Sequence, residues 1–220
     1  MVLTIQNPYK TIFLSQNMNN WKKFMHELKH HLPFTLGATV LAVLLVSILV
    51  LKFHIIVNEE EFEFLHYIHI FASAIVSAGI FYKYKKNIYL ATLIGLISSI
   101  IVGSISDVIF PFAGGKLFSF AIHFHLPLIE APIWVIGSAL LGTIIGITTK
   151  ITKFPHFLHI FISIFASLFY ILAFIPSITI ITLLISIMIV FIAVLIPCCV
   201  SDILMPFLFL GKDLKSCHCN

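Results

Sequence analysis

Six long apolar segments constrain this chain more than any other feature of its sequence. Crossing ~30 Å of hydrocarbon takes roughly 20 apolar residues in a helix. The segments are Phe34–Leu51, Phe64–Tyr82, Ile88–Phe112, Ala131–Thr148, Phe157–Ile175 and Ile178–Leu210. Only 10% of the residues are charged, against about 25% in a soluble domain, so the chain has too little polar surface for a water-soluble globule. We predict an all-α integral membrane protein with six transmembrane helices. The sixth segment is overlong and contains Pro197 and Pro206, so we expect it to bend, break or follow the interface near its end.

The lysines give this six-helix arrangement a direction. All thirteen positive residues are lysines, and Lys52 and Lys116 alone fall on one side of the membrane in this arrangement. The eleven on the other side are Lys10, Lys22, Lys23, Lys29, Lys83, Lys85, Lys86, Lys150, Lys153, Lys212 and Lys215. Basic residues accumulate in cytoplasmic loops, so we expect both termini to be cytoplasmic, in a prokaryotic plasma membrane. The first 33 residues lack the apolar core of a signal peptide, and the dispersed lysines do not form the basic face that binds nucleic acid.

Three short motifs recur in the same order in the two halves of the chain. The motif HxxHIFxS occurs at 66–73 and 156–163, SDxxxPF at 106–112 and 201–207, and HLP at 31–33 and 125–127. The copies are separated by 90, 95 and 94 residues, so the motifs stay in register. The sequence therefore predicts an internal duplication.

A duplicated unit of three helices must be inverted, because an odd number of spans makes the second unit enter the membrane from the opposite side. Inverted repeats are a common transporter architecture. We expect a cytoplasmic amphipathic segment (1–33), a first three-helix repeat (34–115), an external histidine-containing linker (116–130), a second, inverted repeat (131–210) and a cytoplasmic Cys/His tail (211–220).

The residues that the repeats preserve have the chemistry of a metal site. Histidines at i and i+3 share a helix face, and an aspartate within a span normally has a partner or lines a wet cavity. Imidazole with carboxylate favours a divalent ion such as Zn²⁺, Fe²⁺, Mn²⁺, Co²⁺ or Ni²⁺. Counting from the helix ends predicts two clusters on opposite faces of the bilayer. The outer candidates are His66, His69, Asp107, His123 and His125, and the inner ones are His156, His159, Asp202, His26, His30 and His31.

Further candidate ligands lie beside these clusters. They are Glu27, Glu130, Cys198, Cys199, Cys217, His218 and Cys219. A cysteine in an apolar helix is also a small buried hydrophobe, and the terminal Cys-His-Cys is equally consistent with a simple tail. The acidic run Glu59–Glu61 with Glu63 precedes the second helix, where its field would attract cations.

The histidines of this chain also match the patterns of other classes of protein. Residues 26–30 match HExxH, the zinc-protease motif, but Lys29 lies inside the motif and the corresponding outer segment lacks it. His26, His30 and His31 resemble one histidine box of the membrane fatty-acid desaturases and hydroxylases. That resemblance implies a histidine-rich di-iron enzyme with its boxes on one cytoplasmic side, and it is the leading enzymatic alternative. His54 with His66 or His69 would suit a bis-histidine haem. A membrane substrate-binding subunit of a metal importer also remains open.

The patterns together favour a transporter of a divalent transition metal over an enzyme. The inverted halves would expose first one His/Asp cluster and then the other. The expected partners are the lipid bilayer and the metal ion, and because 220 residues are few for a transport pathway, a homodimer is possible.

Overall fold

The structure is a computed structural model. The structure describes the backbone of residues 33, 36–149, 153–175 and 177–210, and side chains mainly within 36–149, 157–175 and 177–194. Every regular element in these ranges is helical. The elements are α1 (Leu36–Leu51), α2 (Glu59–Tyr84), α3 (Ile88–Ser104), a π-helical turn (Ile105–Ile109), α4 (Phe110–Leu117), α5 (Pro127–Glu130), α6 (Pro132–Thr149), α7 (Lys153–Phe174) and α8 (Ile180–Leu210).

Four segments in the described part of the chain are long and apolar enough to cross a membrane. They are Glu59–Lys83, Ile88–Leu117, Pro132–Thr149 and Phe157–Phe174. The helix α1 (Leu36–Leu51) and the part of α8 whose side chains are described (Ile180–Val194) are shorter apolar helical segments. The chain is therefore a helical membrane protein. The backbone of α8 is helical through Pro197 and Pro206, so the break expected there does not occur.

Two helices begin earlier than their apolar segments predict. The helix α2 starts at Glu59 rather than Phe64, because the Glu61 carboxylate accepts a 2.8 Å hydrogen bond from the Asn58 N–H and the acidic first turn complements the helix dipole. The helix α7 starts at Lys153 rather than Phe157. At ~1.5 Å per residue, His69 therefore lies about 15 Å from the start of α2.

Glycines let α2 and α6 cross at very short distance. A Cβ on Gly142 would collide with the Phe71 carbonyl oxygen, and one on Gly146 would collide with the Ile75 carbonyl. Small residues permit such backbone contact between membrane helices. Gly142 of α6 meets Phe71 of α2, and Gly146, one turn later, meets Ile75, one turn later on α2. The two helices therefore run parallel.

The helices α2 and α7 run antiparallel. Phe62, near the start of α2, packs on Tyr170 near the end of α7, with ring centroids 5.1 Å apart. Further along α2, the His69 ring lies 4.6 Å from the ring of His159, near the start of α7. Several side chains between these pairs are buried, among them His66, Ile164 and Ser167, so the seam between α2 and α7 forms the centre of the bundle.

Replacing Gly142 by Ala should destabilise the protein. The new methyl group has no space against the Phe71 carbonyl, and overpacking of this kind costs about 1–3 kcal/mol. Gly137→Ala, on the same helix, is the matched control, because no atom lies within 4 Å of its Cβ position and alanine favours the helix. We expect the thermal midpoint in detergent to drop for Gly142→Ala and to stay at or above the wild-type value for Gly137→Ala. Equal midpoints for the two variants would contradict the close crossing.

Candidate metal centre

Asp107 gathers the two histidines of α2 at the centre of the bundle. Its Oδ2 lies 2.9 Å from Nδ1 of His66 and 2.6 Å from Nδ1 of His69. All three side chains are fully buried, and their ligand atoms lie close enough together to hold one metal ion. The two histidines, at i and i+3, share the face of α2 that points at α3 and α7, which is the arrangement that the HxxH spacing predicts.

The second oxygen of Asp107 is held by serines. Oδ1 lies 2.8 Å from the Ser106 hydroxyl, 3.0 Å from that of Ser163 and 3.4 Å from that of Ser167. A buried carboxylate is stable when each oxygen accepts hydrogen bonds. Because Ser163 and Ser167 lie on α7, the carboxylate joins that helix to α2 and to the π-helical turn.

Asp107 lies in the π-helical turn, which ends two residues before Pro111. Proline has no N–H, so residue 111 cannot donate to a carbonyl one turn earlier. The Ser106 carbonyl instead accepts a 3.0 Å hydrogen bond from the Ser167 hydroxyl. The Ser106 carbonyl is thus bonded to a side chain of α7, and π-helical turns are frequent at functional sites.

His159 joins this cluster, contrary to the sequence-based arrangement. The sequence predicted that His159 would lie with an inner cluster, far from His69. Instead, the two Nε2 atoms are 3.4 Å apart, and His159 is fully buried. That separation into opposite faces is wrong for His159, because α2 and α7 begin before their apolar segments and their histidines lie further from the helix ends than expected.

The hydrogen-bond pattern defines which histidine atoms can bind an ion. A carboxylate only accepts, so His66 and His69 present Nδ1–H to Asp107 and keep their lone pairs on Nε2. The Nε2 of His66 is buried and has no hydrogen-bond partner. The Nε2 of His69 faces that of His159. Carboxylates commonly orient metal-binding histidines in this way, so Asp107 has the geometry of an orienting group.

A second group of ligand side chains lies where α2 begins. His125 Nε2 is 3.0 Å from a Glu63 carboxylate oxygen, and its Nδ1 is 2.6 Å from one of Glu130. These three residues also could hold a metal ion. His123 lies close by in sequence, but its ring is exposed and packs on Phe174. Of the predicted outer histidines, His66 and His69 therefore belong to the central cluster, His125 belongs to this second group, and His123 belongs to neither.

Several predicted ligands lie outside the described residues or side chains. These are His26, Glu27, His30, His31, His156, Cys198, Cys199, Asp202, Cys217, His218 and Cys219. His54, the proposed haem ligand, is exposed in the connection between α1 and α2. The His69 ring is in contact with Asp107 and His159, which leaves no room for a porphyrin on that side.

Sequence reasoning did not identify the serine partners of Asp107. Ser106 and Ser163 belong to the repeated motifs SDxxxPF and HxxHIFxS, so their recurrence was the available signal. Ser167 lies one turn after Ser163 and is outside both motifs. Ser106 and Ser163 are therefore part of the site chemistry, whereas Ser73, which occupies the position of Ser163 in the first copy of the motif, has no hydrogen-bond partner.

Comparison with protein-family models, with curated proteins and with solved structures finds no match to this chain. The fold and the site define its class: a helical membrane protein with buried histidine–aspartate groups that could hold a metal ion.

Replacing Asp107 by Asn should destabilise the protein even without added metal. In asparagine one carboxylate oxygen is replaced by an NH₂ group, so either the two histidines or the serines lose their acceptor. Each unsatisfied group costs about 1–3 kcal/mol. Ser99→Ala is the control, because Ser99 is also buried in this segment but donates only to the Leu96 carbonyl. A smaller loss in the thermal midpoint for Asp107→Asn than for Ser99→Ala would contradict the role of the carboxylate.

Proposed function

We propose that this protein transports a divalent transition-metal ion across the membrane through the cluster of His66, His69, Asp107 and His159. The observation that carries the proposal is the contact between His69 and His159, which joins the two halves of the chain at a fully buried pair of imidazoles. A packing core does not need these groups, since burying polar side chains in a membrane is costly.

The spacing of the imidazoles suits a tetrahedral ion. Metal–nitrogen bonds of ~2.0–2.1 Å at a tetrahedral angle set two ligand atoms roughly 3.3–3.4 Å apart. The Nε2 atoms of His69 and His159 are 3.4 Å apart. The Nε2 of His66 has no hydrogen-bond partner, and in this proposal a rotation of its ring brings it to the ion as a third ligand. Imidazole ligands favour Zn²⁺, Fe²⁺, Co²⁺ or Ni²⁺, and the nearby carboxylate extends the choice to Mn²⁺.

The contacts also support an inverted repeat of two three-helix units. His69 and His159 occupy the same position of the motif HxxHIFxS, on helices that run antiparallel. Two equivalent residues meet in this way when a two-fold axis in the membrane plane passes between them. In this proposal α1 and α8 supply the remaining two of six spans.

Complete burial of the cluster fits alternating access. His66, His69, Asp107 and His159 expose no surface, so an ion can enter or leave only when the surrounding helices move. In transporters built of inverted repeats, one unit rocks against the other around a site near the midplane. A site shared by α2 and α7 would change its exposure with such a motion, and histidine ligands release protons as they bind metal.

The lysines give the proposed orientation. The parallel α2 and α6 end at the same side of the bundle, next to Lys83, Lys85 and Lys86 and next to Lys150 and Lys153. Basic loops favour the cytoplasm, so the Glu63, His125 and Glu130 group would face outside. Because the four residues of the central cluster come from one chain, a homodimer is not needed to complete the site.

Removing both α2 imidazoles should abolish metal flux. Purified wild-type protein in proteoliposomes should move Zn²⁺ or Mn²⁺ to a fluorescent indicator inside, while the His66→Ala/His69→Ala variant should show no flux above empty liposomes, because the site loses two of its three proposed nitrogen ligands. His54→Asn is the matched control, since His54 is an exposed histidine with a positive φ that asparagine tolerates. Unchanged flux in the double variant, with the protein folded, would exclude this site.

His69 and His159 should act as one unit in binding. If both nitrogens hold the same ion, His69→Ala and His159→Ala should each weaken Zn²⁺ binding by more than about tenfold, and the double variant should lose less than the two single losses combined, since residues in contact are not additive. Competition with a zinc chelator measures all four affinities. Strictly additive losses would mean that the two histidines bind independently.

A further inference from the structure

The group at the start of α2 is a second place where ligand side chains converge. His125 spans two carboxylates, with one ring nitrogen on Glu63 and the other on Glu130. The proposed transport site does not use any of the three residues. Two carboxylates and an imidazole are a ligand set that divalent Zn²⁺ or Mn²⁺ accepts.

The three side chains are held in place by further hydrogen bonds. The Tyr67 hydroxyl donates to the second Glu63 oxygen at 2.8 Å, and the second Glu130 oxygen accepts from the Leu126 N–H at 3.3 Å. Glu63 comes from α2 and Glu130 from the one-turn helix α5, so the group also fixes the linker on the bundle. The ligand atoms lie within 4.8 Å of one another, and short side-chain rotations would bring them to the ~3.3 Å spacing around an ion. The His125 nitrogen that binds the ion gives up its proton, because metal binding to histidine releases one.

Exposure increases outward through this group. The side chain of His125 is 10% exposed, that of Glu63 is 27% and that of Glu130 is 48%. The central cluster is fully buried. Glu63 precedes His66 by three residues, on the same face of α2, so the two sites lie at successive depths along one helix face.

Phe62 separates the two sites. Its ring centroid lies 5.7 Å from that of His66 and 5.9 Å from that of His125, and the side chain is fully buried. Tyr170 of α7 packs edge-on against it at 5.1 Å and is itself held by a 2.8 Å hydrogen bond to the His123 carbonyl. One apolar ring thus contacts a histidine of each site.

We propose that Glu63, His125 and Glu130 form a surface site for a divalent cation, and that the Phe62 ring is the barrier between this site and the central one. The two carboxylates supply charge that attracts the cation, and partial exposure lets it exchange with water. The barrier has to move before an ion passes from one site to the other. Cation binding at the surface site does not depend on the proposed transport, whereas the role of Phe62 rests on it.

Counting bound ions tests the surface site. Full-length protein in nanodiscs is dialysed against Zn²⁺, and bound zinc per chain is measured by elemental analysis. Relative to wild type, Glu63→Gln/His125→Ala should lose one ion, His66→Ala/His69→Ala should lose one, and the combined variant should lose two. His54→Asn should lose none.

Each outcome addresses one proposal. An unchanged count in Glu63→Gln/His125→Ala would overturn the surface site, and an unchanged count in His66→Ala/His69→Ala would overturn the central site. Glu130→Gln is a second variant that leaves the bundle intact, because the Glu130 side chain is the most exposed of the three. This variant should bind zinc more weakly at the surface site. An affinity equal to that of wild type would count against the surface site.

Release kinetics test the barrier. The surface site is first removed by Glu63→Gln/His125→Ala, and zinc release from the central site to an excess of chelator is followed by stopped flow. Adding Phe62→Ala to this background should speed release by about tenfold or more, since each tenfold corresponds to about 1.4 kcal/mol of barrier. Phe81→Ala is the matched control, because Phe81 is equally buried on α2 but packs with Ala91 and Ile94 in a separate cluster. Equal release rates for the two variants would overturn the barrier.

Discussion

The buried carboxylate of Asp107 is the interaction on which the arrangement of the bundle depends. One oxygen accepts from two histidines of α2, and the other accepts from serines of the π-helical turn and of α7. A charge in the apolar interior is tolerated only when it is neutralised and hydrogen-bonded on every side. The same group that needs these partners therefore fixes three helices in register and points the imidazole nitrogens away from itself.

Close helix packing makes this arrangement possible. Without side chains at Gly142 and Gly146, α6 approaches the backbone of α2, so α2 is enclosed by α6 on one side and by α3 and α7 on the others. The polar face of α2 is thereby shielded from lipid, while bulky side chains such as Leu141 and Ile144 remain exposed on the outer face of α6. Apolar outer surfaces and a polar interior are what a bundle in a membrane requires.

Much of this could be predicted from the sequence, but depth in the membrane could not. The apolar segments identify a helical membrane protein, and the HxxH spacing with Asp107 identifies three members of the central cluster. Apolar segments do not define helix ends, however, because charged residues such as Glu59 can occupy a first turn that projects from the membrane. The helix α7 begins four residues before the predicted start, so His159 lies about one helical turn further from the helix end than the apolar segment indicated. The partner Ser167 could not be found either, since a serine on a helix has no pattern that distinguishes it.

The contact between His69 and His159 has a consequence for ancestry. In a symmetric pair of chains, a residue on the two-fold axis contacts its own copy. If the two halves arose by gene duplication, the ancestor was a three-helix protein that inserted in both orientations, and a single histidine codon supplied both sides of the contact. Fusion then removed the requirement for identity. On that history the two halves would have been free to diverge, for example where Gly103 and Ser104 align with Cys198 and Cys199.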